Sequence, residues 1–85
     1  EKESPNYRLY LANCYMKIEK WDKAEQSLLQ IVNSGTELVH EAKWFLSLVY
    51  VKKNDLKASK LLLEELSAEN KIYSSSAKDV LKELN

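Results

Sequence analysis

The residues best equipped for chemistry sit together in the stretch VHEAKWFLSLVY, Val39 to Tyr50, where His40 and Glu41 precede Trp44 and Phe45. A zinc-hydrolase helix reads His-Glu-x-x-His, because two histidines four apart share one helix face and hold the metal while the Glu activates water. Here Trp44 stands where the second ligand belongs, and His40 is the only histidine of the chain. Cys14 falls on a different helical pattern and has no second cysteine to pair with. It reads as a small core residue rather than a ligand or a disulfide partner. Ser74, Ser75 and Ser76 read as a capping and loop cluster, with no base at hand to make one of them a nucleophile. No glycine-rich phosphate loop is present. These patterns point away from an enzyme, a metal site or a cofactor, and they leave the aromatic residues after Glu41 as the feature to explain.

Composition sets the frame in which those residues must be held. Eighty-five residues make one domain with a modest core. Apolar residues make up 45% and charged ones 31%, which suits a folded chain rather than a disordered one. Thirteen basic residues balance thirteen acidic ones, so net charge calls for neither nucleic acid nor anionic lipid. No run of apolar residues is long enough to insert directly into a membrane. The opening EKESPN reads as neither a signal peptide nor an initiator segment. The chain is therefore expected to be a soluble fragment or processed form, such as the soluble part of a larger or membrane-anchored protein.

One Gly and one Pro leave little room for a sheet with tight turns, so an all-α class is predicted. Ser4 is placed to cap a first helix with Pro5 in its first turn, running to about Ile18 with Leu11, Cys14, Tyr15 and Ile18 at helical spacing. A second helix spans about Trp21 to Asn33, with Ala24, Leu28, Ile31 and Val32 on one stripe, and Ser34-Gly35 closes it. Thr36 is expected to cap a third helix that reaches about Lys53. Asn54-Asp55 supplies the next break and cap, before a fourth helix with Leu56, Ser59, Leu62, Leu63 and Leu66. After SAENK a shorter fifth helix is predicted, with Ile72, Tyr73, Ala77, Val80, Leu81 and Leu84 as its apolar stripe.

An internal repeat ties these helices together. Sliding the chain by 35 residues carries Leu11 onto Leu46, Ala12 onto Ser47, Tyr15 onto Tyr50, Trp21 onto Leu56, Ala24 onto Ser59, Leu28 onto Leu63 and Ile31 onto Leu66. Small falls on small and large on large. Antiparallel helices approach closely only where one presents a small side chain to a large one, so Ala12, Ser47, Ala24 and Ser59 are predicted to be the close-contact points.

The pattern resembles the tetratricopeptide repeat, a helix-turn-helix unit of about 34 residues with Leu-Gly-x-x-Tyr followed by Ala-x-x-x-Phe. The matching segments are LANCY (Leu11 to Tyr15) with AEQSL (Ala24 to Leu28), and LSLVY (Leu46 to Tyr50) with SKLLL (Ser59 to Leu63). Ala12 and Ser47 replace the signature Gly, Arg8 and Lys43 its Trp, and Thr36 and Lys71 its closing Pro. The paired segments WDKAEQSLLQIV and DLKASKLLLEEL also look like terminal repeats of bacterial proteins. The resemblance implies a right-handed α-solenoid of two antiparallel helix hairpins, residues 5–35 and 36–69, with a capping helix over residues 72–84.

It also implies a function without catalysis, in which the first helices of successive pairs line a concave groove for a peptide or a partner helix. Carried over through the matched Leu and Tyr, the groove positions are Asn6, Leu9, Tyr10, Asn13, Met16 and Lys17 in the first unit. In the second they are Glu41, Trp44, Phe45, Leu48, Val51 and Lys52. Apolar and aromatic residues with charges at the rim suit protein docking. Family members that clamp a C-terminal carboxylate use lysines where this chain has Leu9 and Trp44. A second expectation stands beside the first: Trp44, Phe45 and Leu48 are covered by the fifth helix or by a neighbouring repeat, and the chain terminates a longer array or associates with itself. Lys52, Lys53, Lys57 and Lys60 form a basic edge, and Glu64, Glu65 and Glu69 an acidic one, which would steer a partner or align neighbours.

Overall fold

A computed structural model describes residues 4–69 and 71–84, and these form five helices: α1 (Pro5–Lys17), α2 (Trp21–Ser34), α3 (Val39–Lys52), α4 (Leu56–Glu69) and α5 (Lys71–Leu84). The described residues contain no strand. Each helix packs on the next in the chain, with a smaller contact between α3 and α5. The molecule measures 41 × 26 × 16 Å.

Local chemistry starts and stops most of these helices where the sequence indicates. The Ser4 hydroxyl accepts the Tyr7 N–H at 3.1 Å, and Pro5 takes a first-turn position where it forfeits no hydrogen bond. Asp55 holds the Ala58 N–H at 3.2 Å at the start of α4. Gly35 closes α2 with φ of 69°, a left-handed conformation that costs a glycine little. Thr36 departs from expectation. Its hydroxyl reaches the Leu38 N–H only at 3.4 Å and its carbonyl takes the Val39 N–H, so it closes a turn ahead of α3 instead of capping it. The helix begins at Val39, and the Leu38 cap position has no side-chain acceptor.

The 35-residue repeat is written in the backbone as well as in the side chains. Lys20 N–H donates to the Tyr15 carbonyl and Asp55 N–H to the Tyr50 carbonyl, both at 2.8 Å. The bonds from Ile18 to Cys14, Glu19 to Met16 and Ala24 to Lys20 recur as Lys53 to Val49, Asn54 to Val51 and Ser59 to Asp55. Glu19 and Asn54, 35 apart, are the two non-glycine residues with positive φ among the described residues, at 61° and 63°. Both hairpins thus turn through the same closure, in which the first helix ends by passing one left-handed residue.

Burial follows the same period. Ala12, Ser47, Ala24 and Ser59 are all fully buried, as are Leu28 and Leu63. Ile31 and Leu66 also repeat as core positions. One cluster gathers Ala12, Ala24, Leu28, Ile31, Ala42, Leu46 and Val49, and a second gathers Leu63, Leu66 and Ala77. Between α3 and α4 the Ser59 hydroxyl donates to the Ser47 carbonyl at 2.9 Å, a reach that needs the two backbones close together. A polar link also recurs. Arg8 bonds Gln30 across the first hairpin, and Lys43 pairs with Glu65 at 3.1 Å across the second.

Five expectations need correction. Cys14 is half-exposed rather than core, and Ile18 caps α1 with 62% exposure. Ile72 is 77% exposed, because its own helical mates are Ser76, Asp79 and Glu83, while the buried stripe runs through Tyr73, Ala77, Val80, Leu81 and Leu84. Ser74, Ser75 and Ser76 lie inside α5, where the Ser74 hydroxyl donates to the Ser67 carbonyl of α4 at 3.0 Å. At 14 residues α5 is no shorter than α2, α3 or α4. The Asn70 part of the predicted SAENK break lies outside the described residues.

The paired turns make a quantitative expectation. A left-handed residue with a β-carbon carries a conformational penalty that glycine avoids, and Asn bears it better than Glu. Glu19→Gly should stabilise the fold by about 1 kcal/mol in urea denaturation, and Asn54→Gly by less. Equal or opposite effects would show that Glu19 is held by interactions other than the turn.

Candidate interaction surface

The residues singled out on α1 and α3 take positions set by the repeat. Leu9 and Met16 of α1 are half-buried against the first cluster, as is Phe45 of α3. Asn13 donates its side-chain amide to the Leu9 carbonyl at 3.1 Å, which fixes the amide along the helix. Leu48 and Val51 are half-exposed, while Asn6, Lys17 and Lys52 are exposed. Tyr10 is 65% exposed, and the Cys14 thiol one turn along α1 pushes its phenol above the usual range.

Trp44 is the exception. Its ring stacks on Tyr73 of α5 with centroids 5.6 Å apart and planes 24° from parallel. The pair lies against the second core cluster, with Val80, Leu81 and Leu84 beside it. Burial raises the Tyr73 phenol, and the negative charge of half-buried Glu41 raises it further. Of the two expectations for Trp44, covering by the fifth helix is the one the geometry gives. Phe45 goes to the first cluster instead, so neighbouring aromatics on α3 serve different layers. Sequence reading did not single out Tyr73 as the partner of Trp44. The signal was available, since Tyr73 opens a stripe with Ala77, Val80, Leu81 and Leu84 that places it on the inner side of α5.

Charged groups knit the helices rather than forming two separate edges. Lys53 meets Asp22 at 2.7 Å and also Glu25, both on α2, while the Tyr50 hydroxyl donates to Glu25 at 3.0 Å. These contacts hold Lys53 above the usual lysine range, and Lys53 in turn lowers the Asp22 carboxyl. Burial and then the Glu25 carboxylate raise the Tyr50 phenol. At the other end of α3, desolvation pulls Lys43 down but Glu65 and Glu69 outweigh it, so its pKa is raised overall. The predicted basic and acidic edges therefore give up Lys53, Glu65 and Glu69 to internal pairs.

His40 lies half-buried in the first turn of α3. No three His, Cys, Asp or Glu side chains among the described residues come together as metal ligands, and no described helix is long and apolar enough to cross a membrane. An open cleft of about 540 Å³ beside the first hairpin turn is lined by Glu19, Lys20, Trp21, Asp22, Lys23 and Lys53. It contains none of the residues carried over to the groove. Comparison with family models, curated proteins and solved structures gives no match to the chain.

The geometry divides the aromatic residues into scaffold and surface. Trp44→Ala should cost about 2 kcal/mol, as a half-buried ring leaves a partly collapsed site. Tyr10→Ala should change stability by no more than about 0.5 kcal/mol. A double-mutant cycle between Trp44 and Tyr73 should give a coupling of about 0.5–1.5 kcal/mol, and additive losses would refute the stack.

Proposed function

We propose that this chain is a non-catalytic protein-binding module of the tetratricopeptide-like kind. In this reading, residues 5–35 and 36–69 are two units of an α-solenoid and α5 is its terminal cap. An extended peptide or partner helix lies along the side shared by α1 and α3. What supports the reading is a single pattern: Asn13 and Leu48, and Met16 and Val51, are two pairs 35 apart, and all four residues are partly exposed. A repeated, partly open surface on successive helices offers a bound segment the same kind of contact twice.

The open order of packing supports the solenoid over a closed four-helix bundle. In a closed bundle the first and fourth helices pack together, whereas extensive contact here runs between chain neighbours, with only a small contact from α3 to α5 besides. The Trp44 and Tyr73 stack sets the boundary of the proposed groove, since α5 occupies the α3 face there. The contacts left to a partner centre on Tyr10, Asn13, Met16, Leu48 and Val51, with Lys17 and Lys52 exposed alongside. Two units bury little area, so affinity on the order of micromolar is expected.

The test is selection from a random peptide library displayed on phage, followed by amide chemical-shift mapping with the selected peptide. The peptide should shift Tyr10, Asn13, Leu48 and Lys52, and Leu48→Ala should weaken binding about tenfold while leaving the chain folded. Shifts confined to the outer faces of α2 and α4, around Lys23 and Leu61, would overturn the reading.

A further inference from the structure

The repeat gives each residue of α1 a mate on α3, and one set of mates does not match in burial. Tyr7 and Cys14 of α1 correspond to Ala42 and Val49 of α3, which are both fully buried. Tyr10 corresponds to Phe45, which packs into the first cluster. Yet Tyr7 is 47% exposed, Tyr10 65% and Cys14 partly so. The difference lies in what precedes each helix. On α3 this face joins the cluster to which α2 contributes Ala24, Leu28 and Ile31, whereas among the described residues no helix precedes α1. The polar contacts differ in the same way. The Tyr50 hydroxyl donates to Glu25 of α2, while the hydroxyl of its mate Tyr15 has no hydrogen-bond partner among the described residues. Lys53, which pairs with Asp22 and Glu25 on α2, has as its mate the exposed apolar Ile18.

We propose that the face of α1 carrying Tyr7, Tyr10, Cys14 and Ile18 docks an amphipathic helix with the chemistry of α2, lying antiparallel to α1 as α2 lies to α3. The partner helix carries an aliphatic stripe. It places a carboxylate where it accepts the Tyr15 hydroxyl, as Glu25 accepts that of Tyr50. Near Ile18 it is apolar, since the cation that draws Asp22 to the second unit is missing from the first. Opposite Tyr7 it presents a small residue, because a tyrosine standing where α3 has Ala42 holds a neighbouring helix further off. Four exposed or half-exposed positions on one helix, each the mate of a residue that faces α2, identify the occupant by the contacts it must reproduce. The inference rests on the repeat and not on the peptide groove, with which it shares Tyr10, so a peptide that fails to shift Asn13, Leu48 and Lys52 leaves it intact.

The chain itself supplies the probe. Residues 21–38 precede Val39, and Ser4 is the mate of Val39, so a second copy of residues 21–38 fused directly ahead of Ser4 presents the α2 segment to α1 in the native register. Modification of Cys14 by a thiol reagent should slow about tenfold relative to a fusion carrying a scrambled segment, and Tm should rise by about 4–8 °C. Glu25→Gln in the added copy should remove part of the gain in Tm, and should remove none once Tyr15→Phe is present. The same fusion with Tyr7→Ala guards against a clash at that position. Cys14 modified as fast as in the scrambled control in both fusions would overturn the proposal. So would an unfused chain that sediments as a dimer with Cys14 protected, since the face would then belong to a second copy.

Discussion

Everything in this structure depends on how closely the two helices of each hairpin approach. Ala12 and Ala24 in the first hairpin, and Ser47 and Ser59 in the second, are fully buried side chains of minimal volume. Where two such residues meet, the helix backbones come near enough for the Ser59 hydroxyl to reach the Ser47 carbonyl of the neighbouring helix. A buried hydroxyl without a partner would cost about 1–3 kcal/mol, and this bond removes that cost while keeping the crossing tight. The neighbouring Leu28, Ile31, Leu63 and Leu66 then fill the flanks of the crossing. Close approach also fixes register. Once the small residues are opposed, the polar link of Arg8 to Gln30 and its mate from Lys43 to Glu65 fall into place at the same offset.

The turns serve that approach. Three residues between α1 and α2, and three between α3 and α4, allow no slack, so each hairpin closes through one left-handed residue, Glu19 or Asn54. The junction between the two hairpins is built differently. Gly35 releases α2, Thr36 turns the chain, and Tyr50 and Lys53 of α3 and its C-terminal turn return to Glu25 and Asp22 of α2. This second contact, hairpin against hairpin, has no counterpart in front of α1 among the described residues, and that asymmetry separates Tyr15 from Tyr50 and Ile18 from Lys53.

Much of this was legible in the sequence because the signals were redundant. The 35-residue period appears in small residues, large residues and both tyrosines at once, so no single substitution hides it. Ser4, Gly35 and Asp55 act through their own local chemistry and behave as their residue types indicate. Thr36 is a good capping residue by type, but it sits three residues ahead of the helix and its hydroxyl was claimed by a turn. Ile72 was hydrophobic and one position off the stripe, which shows that the period of a pattern outranks hydrophobicity of a single residue. The serines of α5 misled through composition alone, since one of them bonds a carbonyl of α4 from inside the helix. The pairing of Trp44 with Tyr73 needed the angle between α3 and α5, which no one-dimensional pattern carries. The repeat gave the twelve candidate groove positions a register, while their division into core, stack and open face depended on tertiary neighbours.

The central claim is that minimal volume at the helix crossings, rather than hydrophobicity there, holds the array together. A substitution series at Ser59 followed by urea denaturation addresses it most directly. Ser59→Ala keeps the volume and gives up one hydrogen bond, so it should cost about 1 kcal/mol or less. Ser59→Val and Ser59→Leu add apolar atoms and should each cost about 1–3 kcal/mol or more, in increasing order, through overpacking. Leu as stable as Ala, or more stable, would contradict the account, because it would place the crossing where a large side chain fits.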